Sequence, residues 1–469
     1  MYTNIITLTD SYKMVHWQQY PKGTEGVYSY FESREGAKFP ETVFFGLQAL
    51  VKEHLLGSVV SRTGIEDAEE LARHHFGTDT YFNRKGWEYL LNVHGGRLPV
   101  RIRAVPEGTV VPTSHVLMTV ENTDPQAYWL TNHLETLLSH VWASSTVATI
   151  SLEAKRLFCQ LLDETAETDL GLPFMLHDFG FRGVSSVASA GLEGAGHLLH
   201  FLGTDTLQAM EAAREYYHAD PTTLAFSVAA TEHSVMTACG PEGEADLLDS
   251  LLTKYPTGIL SVVGDSYDIE VFARDLVGGR FRERILARDG VFVLRPDSGD
   301  PVVVSGRVLD ILEECVGCTV NAKGFKVLPP QMRMLWGDGL ELEMIRDFLD
   351  AAKVKGWSAE NFVFGMGGGL LQKINRDTQC FAMKSSAQRR NGVWHDIRKT
   401  PKGGQDKISK AGKLGLERGA DGTWTTFRLA ENGHNDLLET VFEDGRLVQD
   451  QTFEQIRERV AQYVQPPMR

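Results

Sequence analysis

The spacing of apolar and polar positions changes twice along the chain, and each change marks a different kind of element. Over the first 145 residues the pattern favours strands: "GVYSYFESR" (26–34), "LPVRIRAVPEG" (98–108) and "HVLMTVENTDP" (115–125) alternate or run out into turn residues. The stretch "VATISLEAKRLFCQLLDE" moves to helical spacing, with Val147, Ile150, Ala154, Leu157 and Leu161 on one face. From there to about residue 380 a short apolar run repeatedly stops at a cluster of Gly, Asp, Arg or His, and a helical stretch follows. The stops are "HDFGFRG" (177–183), "GTDT" (203–206), "ATEHS" (230–234), "GDSYD" (264–268), "RPDSG" (295–299), "GDG" (337–339) and "GMGGG" (365–369). They fall roughly 30 residues apart, which is the length of a strand plus a helix. Beyond residue 380 comes a basic stretch, then "VFEDGRLV", which reads as a hairpin with an Asp-Gly turn, and a last helix near "EQIRERVAQYV".

Seven polar strand ends in order predict an α/β fold built on an irregular βα barrel over 146–380. Residues 1–145 and 381–469 are expected to form a second, strand-rich α/β domain from both chain ends. In a βα barrel the chemistry gathers at the C-terminal rim of the strands. That places Arg295 and Asp297, at the end of the apolar run in "FVLRPDSGDP", on the rim.

Composition narrows the function. With 62 acidic and 47 basic residues the net charge is -15, which argues against a nucleic-acid partner. The N-terminus has no basic segment followed by an apolar one, and no run of about 18 uncharged apolar residues occurs, so a soluble cytoplasmic protein without a membrane partner is expected. Five cysteines, an odd number, suit a reducing compartment. Cys315 and Cys318 have metal-ligand spacing but no second such pair and no nearby His, and they read as ordinary thiols.

The predicted rim carries cations at Arg182, Arg295 and Arg376, carboxylates at Asp205, Asp265, Asp297 and Asp338, and the histidine His233. Arginine offers a planar fork of donors to phosphate, and a carboxylate can hold ribose hydroxyls or stabilise an oxocarbenium-like carbon. Each taken singly could instead be an ion pair or a helix cap, and "DTLQ" at 205–208 does fit a capping box. Gly367 and Gly368 lie in a strand–glycine–helix stretch that suits a phosphate at a helix N-terminus, or alternatively a tight turn needing positive φ. The segment 373–418 holds twelve basic residues against four acidic ones, a local field for polyphosphate or a solvated loop. His233 is either a core histidine or one of a His-Asp pair with Asp265. Phe179 and Tyr12 could stack on a flat heteroaromatic ring or belong to the core.

Taken together, "LTDSYKMVHWQQYP", "VENTDPQAYWLTN", "HDFGFRGVSS", "GTDT", "SVVGDSYDI", "RPDSGDP", "GDG" and "FGMGGGLLQKINRD" make the chain resemble the nicotinamide phosphoribosyltransferases nearly end to end. The resemblance implies a type II phosphoribosyltransferase working as a homodimer with active sites at the interface. Such enzymes take nicotinamide and phosphoribosyl pyrophosphate to nicotinamide mononucleotide and pyrophosphate, with Mg2+, in NAD salvage. By the same resemblance Phe179, and Tyr12 from the partner subunit, sandwich the pyridine ring, bordered by Arg182 and Asp205. The Asp205 carboxylate accepts from the carboxamide NH2 and repels nicotinate. Arg295 and Asp297 hold the diphosphate and ribose, while Gly337, Asp338 and Gly368 line the product. Arg376, Lys384, Lys399 and Lys407 bind phosphate, with Arg34 joining across the dimer. His233, oriented by Asp265, takes a phosphoryl group from ATP, whose hydrolysis is coupled to tighter substrate binding. Three departures from the family pattern are visible: "SVAATEH" lacks a proline, Gly264 stands where serine is commoner, and the loop after Arg34 is short. The alternatives are a nicotinate phosphoribosyltransferase, a non-catalytic binding protein on the same scaffold, and a sugar-phosphate aldolase or isomerase barrel. The last would want a rim lysine, and none of the seven stops contains one.

Overall fold

The computed structural model describes residues 4–400 and 409–464. These form two compact units: the first comprises 4–149, 212–219, 375–400 and 409–460, the second 150–211, 220–374 and 461–464. The chain passes from the first to the second inside the helix Val141–Thr165, whose Val147, Ile150, Ala154, Leu157 and Leu161 are all buried.

The first unit is built on an antiparallel sheet of seven strands, in the spatial order Val393–Asp396, Phe381–Arg390, Thr24–Ser33, Val116–Asn122, Val100–Ala104, Glu439–Glu443 and Arg446–Leu447. Strands from the two chain ends are therefore neighbours, and Phe31 stacks on Phe381 with ring centroids 5.1 Å apart. The expected hairpin is present. Asp444 and Gly445, at φ 50° and 81°, make the two-residue left-handed turn that matches strand twist.

The second unit carries seven parallel strands among the described residues, first to seventh in chain order: Leu176–Asp178, Gly203–Thr204, Ala229–Ala230, Thr257–Val263, Asp289–Arg295, Met332–Trp336 and Phe362–Met366. Their spatial order is second, first, seventh, sixth, fifth, fourth, third. This is chain order taken cyclically, broken between the second and third. At that break the Phe226 carbonyl accepts from the Thr204 N–H at 3.2 Å, and the Phe226 N–H donates to the Leu202 carbonyl at 2.7 Å, so the curled sheet is bridged back towards its other edge. Apolar side chains such as Leu260, Phe292, Met334 and Phe364 are buried along the strands, and Phe364 packs on Phe348 of the helix Leu342–Val354 with ring centroids 5.2 Å apart. Helices cover the outside through stripes at helical spacing, as with Ile345, Phe348, Leu349 and Ala352. The helix after the fifth strand begins at once because Asp300 caps the Val303 N–H at 2.9 Å and Pro301 occupies the first turn.

All five cysteines are free thiols. Among the described residues no His, Cys, Asp and Glu cluster is arranged to hold a metal ion, and no helix is long and apolar enough to cross a membrane.

Candidate active site

Parallel register brings the residues just past each strand end onto one rim. Arg295 pairs with Val263, and Asp178 pairs with both Met366 and Thr204. The rim encloses an open cleft of about 1350 Å³ lined by Phe179, Arg182, Asp205, His233, Arg295, Asp297, Gly337, Asp338, Gly367 and Gly368 among others.

On one side of the cleft Arg295 Nη2 donates to Asp297 Oδ2 at 2.8 Å, and both side chains are largely buried, so this is not the surface ion pair that either residue alone could have been. The pair is tied into neighbouring strand ends. Arg295 Nη1 donates to the Thr231 carbonyl (3.1 Å), Gly337 N–H donates to Asp297 Oδ1 (3.1 Å), and Asp297 N–H donates to Asp265 Oδ2 (3.2 Å). Burial pushes the Asp297 carboxyl above the usual Asp range, and the Arg295 cation opposes the shift. His233 is half exposed rather than a core residue, and its Nε2 lies 3.0 Å from Oδ1 of the nearly inaccessible Asp265. A carboxylate can only accept, so this contact puts a proton on Nε2, and in the neutral ring the lone pair is then on Nδ1.

On the other side Asp205 is exposed, and its Oδ1 accepts from Ser227 Oγ at 2.6 Å. The helix Leu207–Tyr217 puts Thr206 rather than Asp205 at its N-cap position, and the Thr206 N–H is taken by Thr204 Oγ1 at 2.9 Å. The Phe179 ring lies over Gly365, where a Cβ would come within 2.1 Å of it, and the Arg295 guanidinium sits 5.7 Å from its centroid. Below the ring, fully buried Asp178 accepts from the Gly180 N–H (2.7 Å) and the Thr204 hydroxyl (3.4 Å). Burial pushes its carboxyl up to about 6, and pushes that of nearby Glu193 up to about 7. Arg182 is exposed on the turn Phe181–Gly183.

The glycine loop is not the positive-φ turn that one of the sequence readings allowed. None of Gly367, Gly368 and Gly369 has positive φ, and the helix that follows, Gly368–Leu371, is a single turn. A Cβ on Gly369 would meet the Leu340 carbonyl at 2.3 Å and one on Gly367 the Phe179 carbonyl at 3.1 Å, whereas Gly368 has nothing nearer than 3.6 Å. Close packing demands the outer two, and Gly368 leaves open space at the cleft.

Arg376, expected among the rim residues, falls in the first unit. The chain leaves the second unit at Ile374, and the turn after it leads into the strand Phe381–Arg390, so Arg376 belongs to the first unit. There it joins Arg34, Lys384 and Lys399 in one cationic cluster. Burial lowers the Lys384 ammonium, Glu135 opposes this, and the charges of Arg34, Arg376 and Lys399 add to the lowering. Tyr12, exposed, is also in the first unit, beside the ion pair of Lys13 and Glu135 at 2.8 Å. Lys407 lies outside the described residues.

Residues 174–446 match the nicotinate phosphoribosyltransferase (NAPRTase) family, and residues 4–102 match the nicotinamide phosphoribosyltransferase N-terminal domain. A nicotinamide phosphoribosyltransferase from Xanthomonas campestris is 46% identical, over 97% of this chain and 97% of its own. The chain belongs to the nicotinamide phosphoribosyltransferase family. Another relative of that name, from Acinetobacter baylyi, is 34% identical over 98% of each chain. The crystal structure of nicotinate-nucleotide pyrophosphorylase from Pyrococcus furiosus superimposes with a TM-score of 0.61, covering 98% of this chain and 95% of that one. At 15% identity it speaks for the fold alone, a type II phosphoribosyltransferase fold.

Gly264, one departure from the family pattern, has a local cause. A Cβ there would lie 2.7 Å from Phe272 and 3.0 Å from Leu294, so the packing under this strand end leaves no room for a side chain. Three site residues escaped the sequence reading: Ser227, Thr231 and Asp178. Asp178 stood inside the quoted "HDFG", but nothing in the sequence marks its carboxylate as buried rather than solvent-facing.

Proposed function

We infer that this protein transfers the phosphoribosyl group of phosphoribosyl pyrophosphate to nicotinamide, forming nicotinamide mononucleotide and pyrophosphate in NAD salvage. The observation that carries the choice of base is Asp205, an exposed carboxylate in the cleft with one oxygen engaged by Ser227. Its other oxygen is a hydrogen-bond acceptor for a carboxamide NH2, while the carboxylate of nicotinate would meet like charge. A site with such a polar partner can reject the wrong analogue by roughly 10⁴-fold.

The pyridine ring would lie on Phe179, with Arg182 at its border. Arg295 and Asp297 would hold the diphosphate and ribose hydroxyls, Gly337 and Asp338 the ribose, and Gly367 and Gly368 a phosphate. As the C1′–O bond to pyrophosphate breaks, positive charge develops on the ribose carbon, and the buried Asp297 carboxylate is a fixed countercharge for it. The ring nitrogen then attacks C1′, and the leaving diphosphate departs towards cations.

The residues present fit a Mg2+ ion that arrives on its substrate. Asp265 and Asp297 already carry hydrogen bonds, Asp338 is exposed at the cleft, and such an ion is ordinarily held by one or two carboxylates plus substrate phosphates. Bound there, with Asp338 as its protein ligand, it would neutralise diphosphate charge. His233 has the nucleophile the coupling needs: Nδ1 attacks the γ-phosphorus of ATP, ADP leaves, and water later releases phosphate. A homodimer, with Tyr12, the cluster of Arg34, Arg376, Lys384 and Lys399, and also Lys407 supplied by the partner, would complete the site.

The test is a product assay with phosphoribosyl pyrophosphate and Mg2+, giving nicotinamide or nicotinate, with and without ATP. Mononucleotide from nicotinamide, formed faster when ATP is present, is expected. Faster use of nicotinate would transfer the assignment to the nicotinate enzyme, and no pyrophosphate release with either base would leave only a binding role.

A further inference from the structure

Asp178 does not line the cleft and was given no substrate group above, yet the hydrogen bonds around the base pocket converge on it. Its side chain is fully buried at the end of the first barrel strand. Oδ1 accepts the Gly180 N–H at 2.7 Å, closing a side-chain turn around Phe179 that sends the chain out across the rim. Oδ2 faces the Thr204 hydroxyl at 3.4 Å, and that same hydroxyl oxygen accepts the Thr206 N–H at 2.9 Å. The main-chain carbonyl of Asp178 accepts the Asp205 N–H at 3.0 Å. Asp205 is thus bracketed by Thr204 and Thr206, both linked to Asp178, and Phe179 is bracketed by Asp178 itself and Gly180. The helix Val187–His197 seals the far side, since a Cβ on its Gly194 would lie 3.2 Å from Asp178 Oδ2.

We propose that Asp178 is the positioning residue of the base pocket: its buried carboxylate locks the turn carrying Phe179 to the turn carrying Asp205, and so sets the distance between the stacking ring and the carboxamide acceptor. The proposal rests on the nicotinamide reading for the identity of the base. Burial works against this group, pushing its carboxyl up to about 6 beside Glu193 at about 7, so the fold carries a charge here that an apolar or neutral residue would spare it. A residue kept for stability alone would not be expected to have that signature.

The experiment compares Asp178→Asn and Asp178→Ala with wild type. Asparagine retains an acceptor for the Gly180 N–H but not a carboxylate for Thr204, and alanine loses both. The expected result is a rise in the KM for nicotinamide of roughly tenfold or more in Asp178→Ala and severalfold in Asp178→Asn, with a parallel fall in the preference for nicotinamide over nicotinate. ATP turnover at His233 and the KM for phosphoribosyl pyrophosphate should stay within about twofold to threefold of wild type, since neither depends on the two turns. A purely structural role would instead depress all of these together. If both variants keep wild-type KM and base preference, the proposal is overturned; should Asp178→Ala not fold, Asp178→Asn decides alone. If the wild-type enzyme does not use nicotinamide at all, the functional reading fails separately. The crystal structure of Asp178→Asn then judges the positioning role: Phe179 and Asp205 unmoved refutes it, and a displaced turn upholds it.

Discussion

If the base lies as proposed, a single carboxylate at residue 205 separates two substrates of almost the same shape. Nicotinamide offers it a donor and nicotinate a second negative charge, so Asp205→Asn, whose amide can turn either way, should raise the nicotinamide KM and improve nicotinate use. A collapse of the preference towards parity is expected in side-by-side kcat/KM measurements; an unchanged ratio would show that Asp205 does not face the base. Asp178 and Glu193 give a second residue-scale expectation, from linkage. Each binds its proton more tightly when folded, between about 4 and about 6 for Asp178 and up to about 7 for Glu193, so unfolding free energy falls as pH rises through those windows. Asp178→Asn cannot ionise and escapes its share of the fall. Its thermal midpoint relative to wild type should therefore increase from pH 4 to pH 7, and a constant difference across that range would mean that Asp178 stays ionised throughout.

The strand Phe362–Met366 shows how an element can set a site without supplying a functional group. Its register is fixed between the first and sixth strands, and Phe179 occupies the space above Gly365 that a methyl group would fill. Gly365→Ala should force the ring aside, costing roughly 1–3 kcal/mol of stability by overpacking and weakening nicotinamide binding. In a Phe179→Ala background the same substitution should cost far less; full additivity in chemical denaturation would remove Phe179 as the partner. Such contacts mark the limit of what the sequence discloses. The rim was legible because each apolar run ends abruptly on Gly, Asp, Arg or His, and parallel strands align those ends. The near-closure between the second and third strands was not, because "GT" and "AA" are too short to show any period. Ser227 was not, because only folding brings it to Asp205, twenty-two positions earlier in the chain. Arg376 was read with the barrel because the glycine loop runs on into "QKINRD" without any break in pattern, and the passage to the first unit after Ile374 is a property of contacts.

At the scale of the whole molecule the charge is divided. The chain carries a net -15, yet Arg34, Arg376 and Lys399 in the first unit stand close enough to Lys384 to add to the lowering that burial imposes on its ammonium, while the groups proposed for the base and ribose belong to the second. Gathering like charges is unfavourable unless an anion neutralises them, which is what a diphosphate does. If the cations serve a partner's cleft, each complete site draws its first-unit residues from one chain and its second-unit residues from the other. Lys384→Ala and Arg295→Ala should then each abolish activity as pure homodimers but complement when co-expressed. A mixed dimer would hold one site with both defects and one with neither, so random pairing should restore about a quarter of wild-type activity. Should each site be built from a single chain, every site in the mixed dimer would carry one defect, and co-expression would restore nothing above the two parents.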